Sequence, residues 1–563
     1  MRIKNHLAEL ANQAIQNAQK AGALPDFPIP EVIIERPQKK EWGDFATALP
    51  LKLARQARRA PIQIAQAMLA HFPQDPVVGR AEAAAPGFVN ISLSDAWVAR
   101  QVETILAEGE RYGDVALDRR ERIDVEYVSV NPTGPMHVGS GRNGAIGDTL
   151  ANVLAACGHS VWREFYVNDA GSQVIHFGSS LYATYAQAMG RDEQVPKDGY
   201  QGAYVFEMGK EIAEKHGDRY LQLPRDQAIR DLGRLGIDTV LAQLHDTLAR
   251  LNVNFDEWFS ERSLYTAGTF AQVFKTLQDK GLIFEKDGAT WLAAQELGEA
   301  QDAVLIRSPE VIPDPELRLT YLASDVAYAW NKLVVRGFER AIYVLGADHH
   351  GAAMRIKASA RALGISEERI NILIYQFVNL KRGSELVKMS KRTGEFVTLN
   401  ELIDEVGADA VRFMLISQSA NTTMDFDLDL AVKQSDENPV YYVQYAHARI
   451  VSILKHAAEL GATGEGGDVS LLVHPAELEL IREILRLPEV VEIAATRLEP
   501  HHLPHYAIEL AGVFHSFYRQ CRVVSSDPAD AALTRARLRL VAAAKSALAR
   551  TLALMGVRAP ESM

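Results

Sequence analysis

Cysteine is nearly absent from the 563-residue sequence, which has only Cys157 and Cys521. Two thiols cannot build a cysteine-based zinc cluster, and a structural disulfide is not expected. Both read as small buried hydrophobes. No uninterrupted apolar run is long enough to cross a bilayer. Residues 1–20 pattern as an amphipathic helix through Ile3, Leu7, Leu10 and Ile15, with Glu9 inside it and no apolar centre of a signal peptide. A cytoplasmic protein without a membrane partner is expected. Positive charge is not in excess either. The net charge of −12 excludes a uniformly basic coat, so any nucleic acid must bind at local patches. Two basic clusters stand out, Lys52-Arg55-Arg58-Arg59 and Arg535-Arg537-Arg539-Lys545-Arg550-Arg558. Each reads equally well as a solvated helix face. There is no convincing internal repeat, and Gly461 to Gly467 is only a short flexible loop.

Hydrophobic content of 47% with 23% charged residues is that of a soluble globular protein. A chain this long exceeds one core, and three or more domains are expected. Two segments carry chemistry. Lys388-Met389-Ser390-Lys391-Arg392 lies between Gly383 and Gly394, after the strand-like run Ile370 to Tyr375. A mobile basic loop of this kind suits a polyphosphate, with two compact ammonium charges and a neutral hydroxyl between them. Upstream, the strand-like Ile123 to Val128 runs into Asn131-Pro132-Thr133-Gly134-Pro135-Met136-His137-Val138-Gly139-Ser140-Gly141-Arg142. A helix pattern comes next through Ile146, Leu150, Val153 and Leu154 and stops at Gly158. Strand, glycine-rich turn and helix N-terminus form an anion-binding arrangement. The turn is neither GxGxxG nor GxxxxGK[ST], which excludes the dinucleotide-binding and P-loop readings.

The His-x-Gly turn and the later KMSK loop, in this order, resemble the two signatures of class I aminoacyl-tRNA synthetases. Glu126 to Pro135, Tyr321-Leu322-Ala323-Ser324-Asp325, Asn438 to Arg449 and the ending Gly556 to Met563 resemble the arginyl-tRNA synthetase branch. The resemblance covers essentially the whole chain. It implies ATP-dependent joining of L-arginine to tRNA(Arg) through an arginyl-adenylate, with Mg²⁺ on ATP, no zinc and a monomeric enzyme. It further implies three domains. Residues 1–115 resemble the appended N-terminal α+β domain that touches the tRNA elbow. Residues 116–435 resemble the catalytic domain, a Rossmann-like doubly wound parallel sheet of α/β class. Its connective insertion falls at about 180–315. Residues 436–563 pattern as an all-α helix bundle and resemble the anticodon-binding domain.

Activation of an amino acid needs no nucleophile from the protein, because the substrate carboxylate attacks ATP. Positioning and charge stabilisation carry the rate. His137, Lys388 and Lys391 are the catalytic candidates. Pro135, His137, Gly139, Ser140, Arg142, Met389 and Ser390 are the ATP-binding ones. Ser140 departs from the family's His-x-Gly-His pattern; it still donates a hydrogen bond but cannot be charged. A guanidinium calls for carboxylates. The resemblance assigns Glu126, Ser129, Asn131, Tyr321 and Asp325 to arginine, with His349 or His350 close to amino acid and adenosine. Tyr321 and Asp325 lie one helical turn apart. Asn168-Asp169-Ala170-Gly171 comes after the second strand, at the ligand-binding edge. Tyr441, Tyr445, Arg449, Tyr518 and Arg522 are candidates for stacking on unpaired tRNA bases. The rivals are another class I synthetase, a nucleotidylyltransferase with a similar turn, and a catalytically weakened tRNA-binding relative. The first is opposed by the paired acids Glu126 and Asp325, the second by the helical C-terminal region, and the third by the intact KMSK loop.

Overall fold

In the computed structural model, residues 3–298, 301–312, 318–387 and 397–563 are described. The KMSK residues Lys388, Met389, Ser390 and Lys391 lie outside them. The alternating patterns after residue 120 form a five-stranded parallel sheet. In chain order its strands are β1 (Arg122–Glu126), β2 (Ser160–Val167), β3 (Glu257–Ser260), β4 (Arg340–Gly346) and β5 (Ile370–Tyr375). In space they run β5-β4-β1-β2-β3, each pairing parallel. The chain leaves β1 toward β2 on one side and returns to β4 on the other. The carboxyl ends of β1 and β4 therefore frame the topological switch point, where such sheets bind ligands.

The helices of this region include α1 (Val138–Ala156), α2 (Arg225–Arg250), α3 (Tyr321–Trp330) and α4 (His350–Leu363). Helix α1 joins β1 to β2 and is buried on nearly all sides. Its glycines allow this. A Cβ at Gly147 would come within 2.2 Å of the buried Tyr127 ring. On α3, Leu322, Val326 and Ala327 bury one face against Phe259, Phe338, Ala341 and Ile370. The segment expected as an insertion, 180–315, is divided. It contains β3, the edge strand of the main sheet, and α2, which leads into β3. A separate antiparallel sheet, Ile283–Lys286, Ala289–Leu292 and Ala303–Ile306, comes after β3.

Two compact units result. The larger holds Glu110–Arg449, Arg486–Ala511 and Ala547–Met563; the smaller holds Met1–Gly109, Ile450–Leu485 and Gly512–Ser546. In the smaller unit, helix Ile3–Lys20 precedes an antiparallel sheet in which Phe88–Leu93 lies between Phe45–Thr47 and Val78–Ala84. Its C-terminal helices are tied in by ion pairs, Arg482 to Asp95 at 2.6 Å and Arg537 to Glu477 at 2.6 Å. In the larger unit the final residues are pinned. His447 Nδ1 meets the Pro560 carbonyl at 2.8 Å, and Gln444 donates to the Arg558 carbonyl at 2.9 Å.

Candidate active site

A cavity of about 570 Å³ opens at the switch point. Its walls come from the end of β1, the turn into α1, the end of β4 and the faces of α3 and α4. The chain leaving β1 is strained. Val128 and Ser129 both have positive φ, 67° and 41°, which is rare for a β-branched residue. Asn143 on α1 holds this bend. Its Oδ1 accepts from the Val128 N–H at 2.8 Å, and its Nδ2 donates to the Val344 carbonyl at 3.0 Å. One side chain thus staples the ends of β1 and β4 together. Ser129 Oγ accepts from the Tyr166 N–H at 3.1 Å and donates to Glu126 Oε1 at 3.3 Å.

His137 caps α1. Its Nδ1 accepts from the Ser140 N–H at 3.3 Å, and its Nε2 lies 3.4 Å from Ser140 Oγ. With Nδ1 accepting, the neutral ring carries its proton on Nε2. Burial lowers the His137 pKa below the ordinary value, against the upward pull of Asp348. The side chain is thus an uncharged donor at neutral pH, fixed at a helix N-terminus that favours anions. Ser140 holds the ring in this orientation.

Glu126 belongs to a buried charge network. Residues Asp124, Glu126 and Glu164 share one face of the sheet, Glu126 lying directly across from Glu164. Lys332 is fully buried above them, its Nζ 2.6 Å from Glu126, 2.8 Å from Asp124 and 3.3 Å from Glu164. The same ammonium sits 4.4 Å from the Tyr328 and Tyr343 ring centres. Arg336 pairs with Glu164, and with Glu257 at 3.0 Å. Burial disfavours the ammonium of Lys332, yet the surrounding acids hold its pKa well above the usual lysine value. Burial pushes the Asp124 carboxyl up to about 7, against Lys332. Lys332 lies in a short π-helical turn, Asn331–Val335, at the end of α3. Such turns are rare and recur at functional sites.

Most of the expected site residues come together. Glu126, Ser129, Asn131, Pro135, His137, Gly139, Ser140, Asp325 and His349 all line the cavity. So does Asn168, whose Nδ2 donates to Asn131 Oδ1 at 3.2 Å. Asp169 instead accepts from Ser260 Oγ at 2.6 Å and from the Arg262 N–H at 3.0 Å, joining the ends of β2 and β3. Two candidates fall elsewhere. Arg142, expected at ATP, is fully buried away from the cavity lining. Its guanidinium donates to the carbonyls of Gln376, Thr422 and Ser419 at 2.7–2.9 Å. Three carbonyls take up its two terminal nitrogens without an anion, so Arg142 ties α1 to the segments after β5. Tyr321 is 57% exposed and lines a smaller neighbouring cavity of about 150 Å³. Asp325, one turn along α3, faces the main cavity.

Lys332, Asn143 and Arg355 were missed by sequence reading. The one available signal was the pair of acids two apart on a buried parallel strand, which demands a counter-charge. Of the tRNA candidates, Tyr441, Tyr445 and Arg449 form one ladder. The two rings stack 5.9 Å apart, and Arg449 lies 4.5 Å over Tyr445 and donates to its hydroxyl at 2.6 Å. Tyr518, 41% exposed and stacked on Phe514, and Arg522 belong to the smaller unit.

A parallel sheet with a His-x-Gly turn at its switch point has the architecture of a class I aminoacyl-tRNA synthetase. Comparison with known proteins agrees and narrows it. Residues 101–446 match the family model for the class I (R) tRNA synthetase catalytic domain. Residues 5–93 match the arginyl-tRNA synthetase N-terminal domain and 443–563 the DALR anticodon-binding domain. The arginine–tRNA ligase of Dehalococcoides mccartyi (strain CBDB1) is 48% identical over 561 residues, covering 100% of this chain and 99% of that one. That of Carboxydothermus hydrogenoformans is 42% identical over 558 residues, covering 99% and 98%. Among solved structures, Thermus thermophilus arginyl-tRNA synthetase superposes with a TM-score of 0.74 at 23% identity, covering 100% of both chains, a likeness of fold. The chain belongs to the arginyl-tRNA synthetase family.

Proposed function

We propose that this chain ligates L-arginine to tRNA(Arg), using ATP and passing through an arginyl-adenylate. The observation that carries this reading is the convergence of His137, Asn131, Glu126 and Asp325 on one cavity at the switch point. His137 and the positive end of the α1 dipole would meet phosphate oxygens, with His137 Nε2–H as the donor. Mg²⁺ would accompany ATP and screen its charge. Lys388 and Lys391 would add two cations from the KMSK loop. Glu126 and Asp325 supply carboxylates for the guanidinium and α-ammonium of arginine. Lys332 pairs with Glu126 from behind at 2.6 Å and fixes its carboxyl group at the cavity wall. His349 and Asn131 complete the amino-acid side, and Tyr321 sits beside it.

For the tRNA, residues 1–115 would meet the elbow and residues 436–563 the anticodon. The Tyr441-Tyr445-Arg449 ladder offers π-faces and a cation of the kind that takes unpaired bases. By family resemblance the reading is of a monomer, acting in the cytoplasm. The test is charging of bulk tRNA with each of the twenty amino acids, with and without ATP. Arginine alone, and only with ATP, should be attached; attachment of a different amino acid would overturn the assignment.

A further inference from the structure

The two acids assigned to arginine are held by cations of very different exposure. Lys332 behind Glu126 is fully buried and fixed by three carboxylates. Asp325 is paired with Arg355, on the second turn of α4. Arg355 lines the same cavity, and its side chain is 40% exposed. Among the described residues a single hydrogen bond joins them, from Arg355 Nε to Asp325 Oδ2 at 2.8 Å. A guanidinium meeting a carboxylate through both edges of its fork binds more strongly than one held through a single nitrogen. The Asp325 partner is therefore weakly held, solvent-reachable and of the same chemical class as the substrate side chain.

We propose that Arg355 is an internal competitor for the substrate's cation, occupying Asp325 until arginine displaces it. The inference rests on the reading of Asp325 as an arginine-binding acid. The exchange of one cation for another keeps Asp325 from becoming a bare, partly buried anion at any stage. It also sets a threshold, because a ligand gains from Asp325 only what exceeds the Arg355 contact. The carboxyl faces Arg355 from α4, Glu126 from β1, Tyr166 from β2, and Glu261. Burial pushes its pKa up to about 6, with Arg355 pulling down and Glu126 pushing further up.

The test uses the full chain with tRNA, ATP and arginine, and reads the separate KM values in aminoacylation together with equilibrium dialysis of labelled arginine. A partly exposed ion pair is weak, so Arg355→Gln should tighten arginine only about two- to fivefold at pH 8. The KM for ATP should not move. The gain should shrink toward pH 6, because Asp325 without Arg355 takes up a proton at higher pH. Asp325→Asn should weaken arginine, and Arg355→Gln added to it should change nothing more. Weaker or unchanged arginine binding in Arg355→Gln, with Asp325→Asn still impaired, overturns the competitor role and leaves Arg355 as a residue that positions Asp325. Unimpaired Asp325→Asn removes instead the assignment of this acid to arginine, and the competitor with it.

Discussion

Lys332 gives the site its electrostatic logic, since it lets three carboxylates share one buried sheet face. Breaking a buried pair by removing one partner is costly, because the other charge stays behind. Glu126→Gln leaves Lys332 two acids, Asp124 and Glu164, and makes no cavity, so the fold should hold. The charge-assisted bond to substrate becomes neutral, a loss of about 1.5–3 kcal/mol. Arginine kcat/KM should fall by about one to two decades while the KM for ATP barely moves. Unchanged arginine dependence would remove this acid from recognition. Asp124 tests the network itself. Its folded pKa of about 7 lies above the ordinary 3.8, so the native state binds more protons than the unfolded chain between those values. Its contribution to stability therefore falls as pH rises from about 4 to about 7. In Asp124→Asn, denaturant melts across that window should show a flatter pH dependence than the parent chain.

Among the elements, β1, α1 and β5 were legible in the sequence. For β1 and α1 a strand-like run leads through a glycine-bearing turn into a helix-period pattern, and β5 is a mostly apolar run. Strand β3 was not. Its four residues, Glu257–Ser260, show no apolar alternation and sit in charged, helix-rich sequence, so sheet membership there is decided by packing. Arg142 misled for a related reason. Its distance from the His-x-Gly turn says nothing about which way a buried helix faces. Helix α1 itself offers a sharp test. Alanine normally favours a helix over glycine by about 1 kcal/mol. At Gly147 the added methyl meets Tyr127 Cγ at 2.2 Å, and overpacking a rigid core costs about 1–3 kcal/mol or more. Gly147→Ala should lower Tm despite the better propensity; a rise would mean that α1 can retreat from the sheet without loss.

For the whole molecule, the helical nature of residues 436–563 was readable from periodicity, but their allocation was not. Residues 450–485 and 512–546 pack within the smaller unit, and 486–511 and 547–563 within the larger. Amphipathic faces declare that they must be covered, not by what. In the larger unit Arg412 is buried and donates to the Met555 carbonyl, with Asp148 as its ion-pair partner and the Asn252 carbonyl at 2.6 Å. A truncation at residue 436 would take away the Met555 carbonyl and open the core around Leu552 and Met555, both fully buried. Loss of charging by a truncated protein would then report unfolding as readily as lost tRNA contact. The Tyr441-Tyr445-Arg449 ladder allows a cleaner experiment, because Tyr445 is 36% exposed and its removal leaves no deep cavity. A base stacked on an aromatic ring is worth about 1–3 kcal/mol by alanine substitution. Tyr445→Ala should raise the KM for tRNA by roughly five- to a hundredfold. Tm and the KM values for arginine and ATP should stay near those of the parent chain. Normal tRNA kinetics in Tyr445→Ala would place the anticodon elsewhere, with Tyr518 and Arg522 the next residues to test.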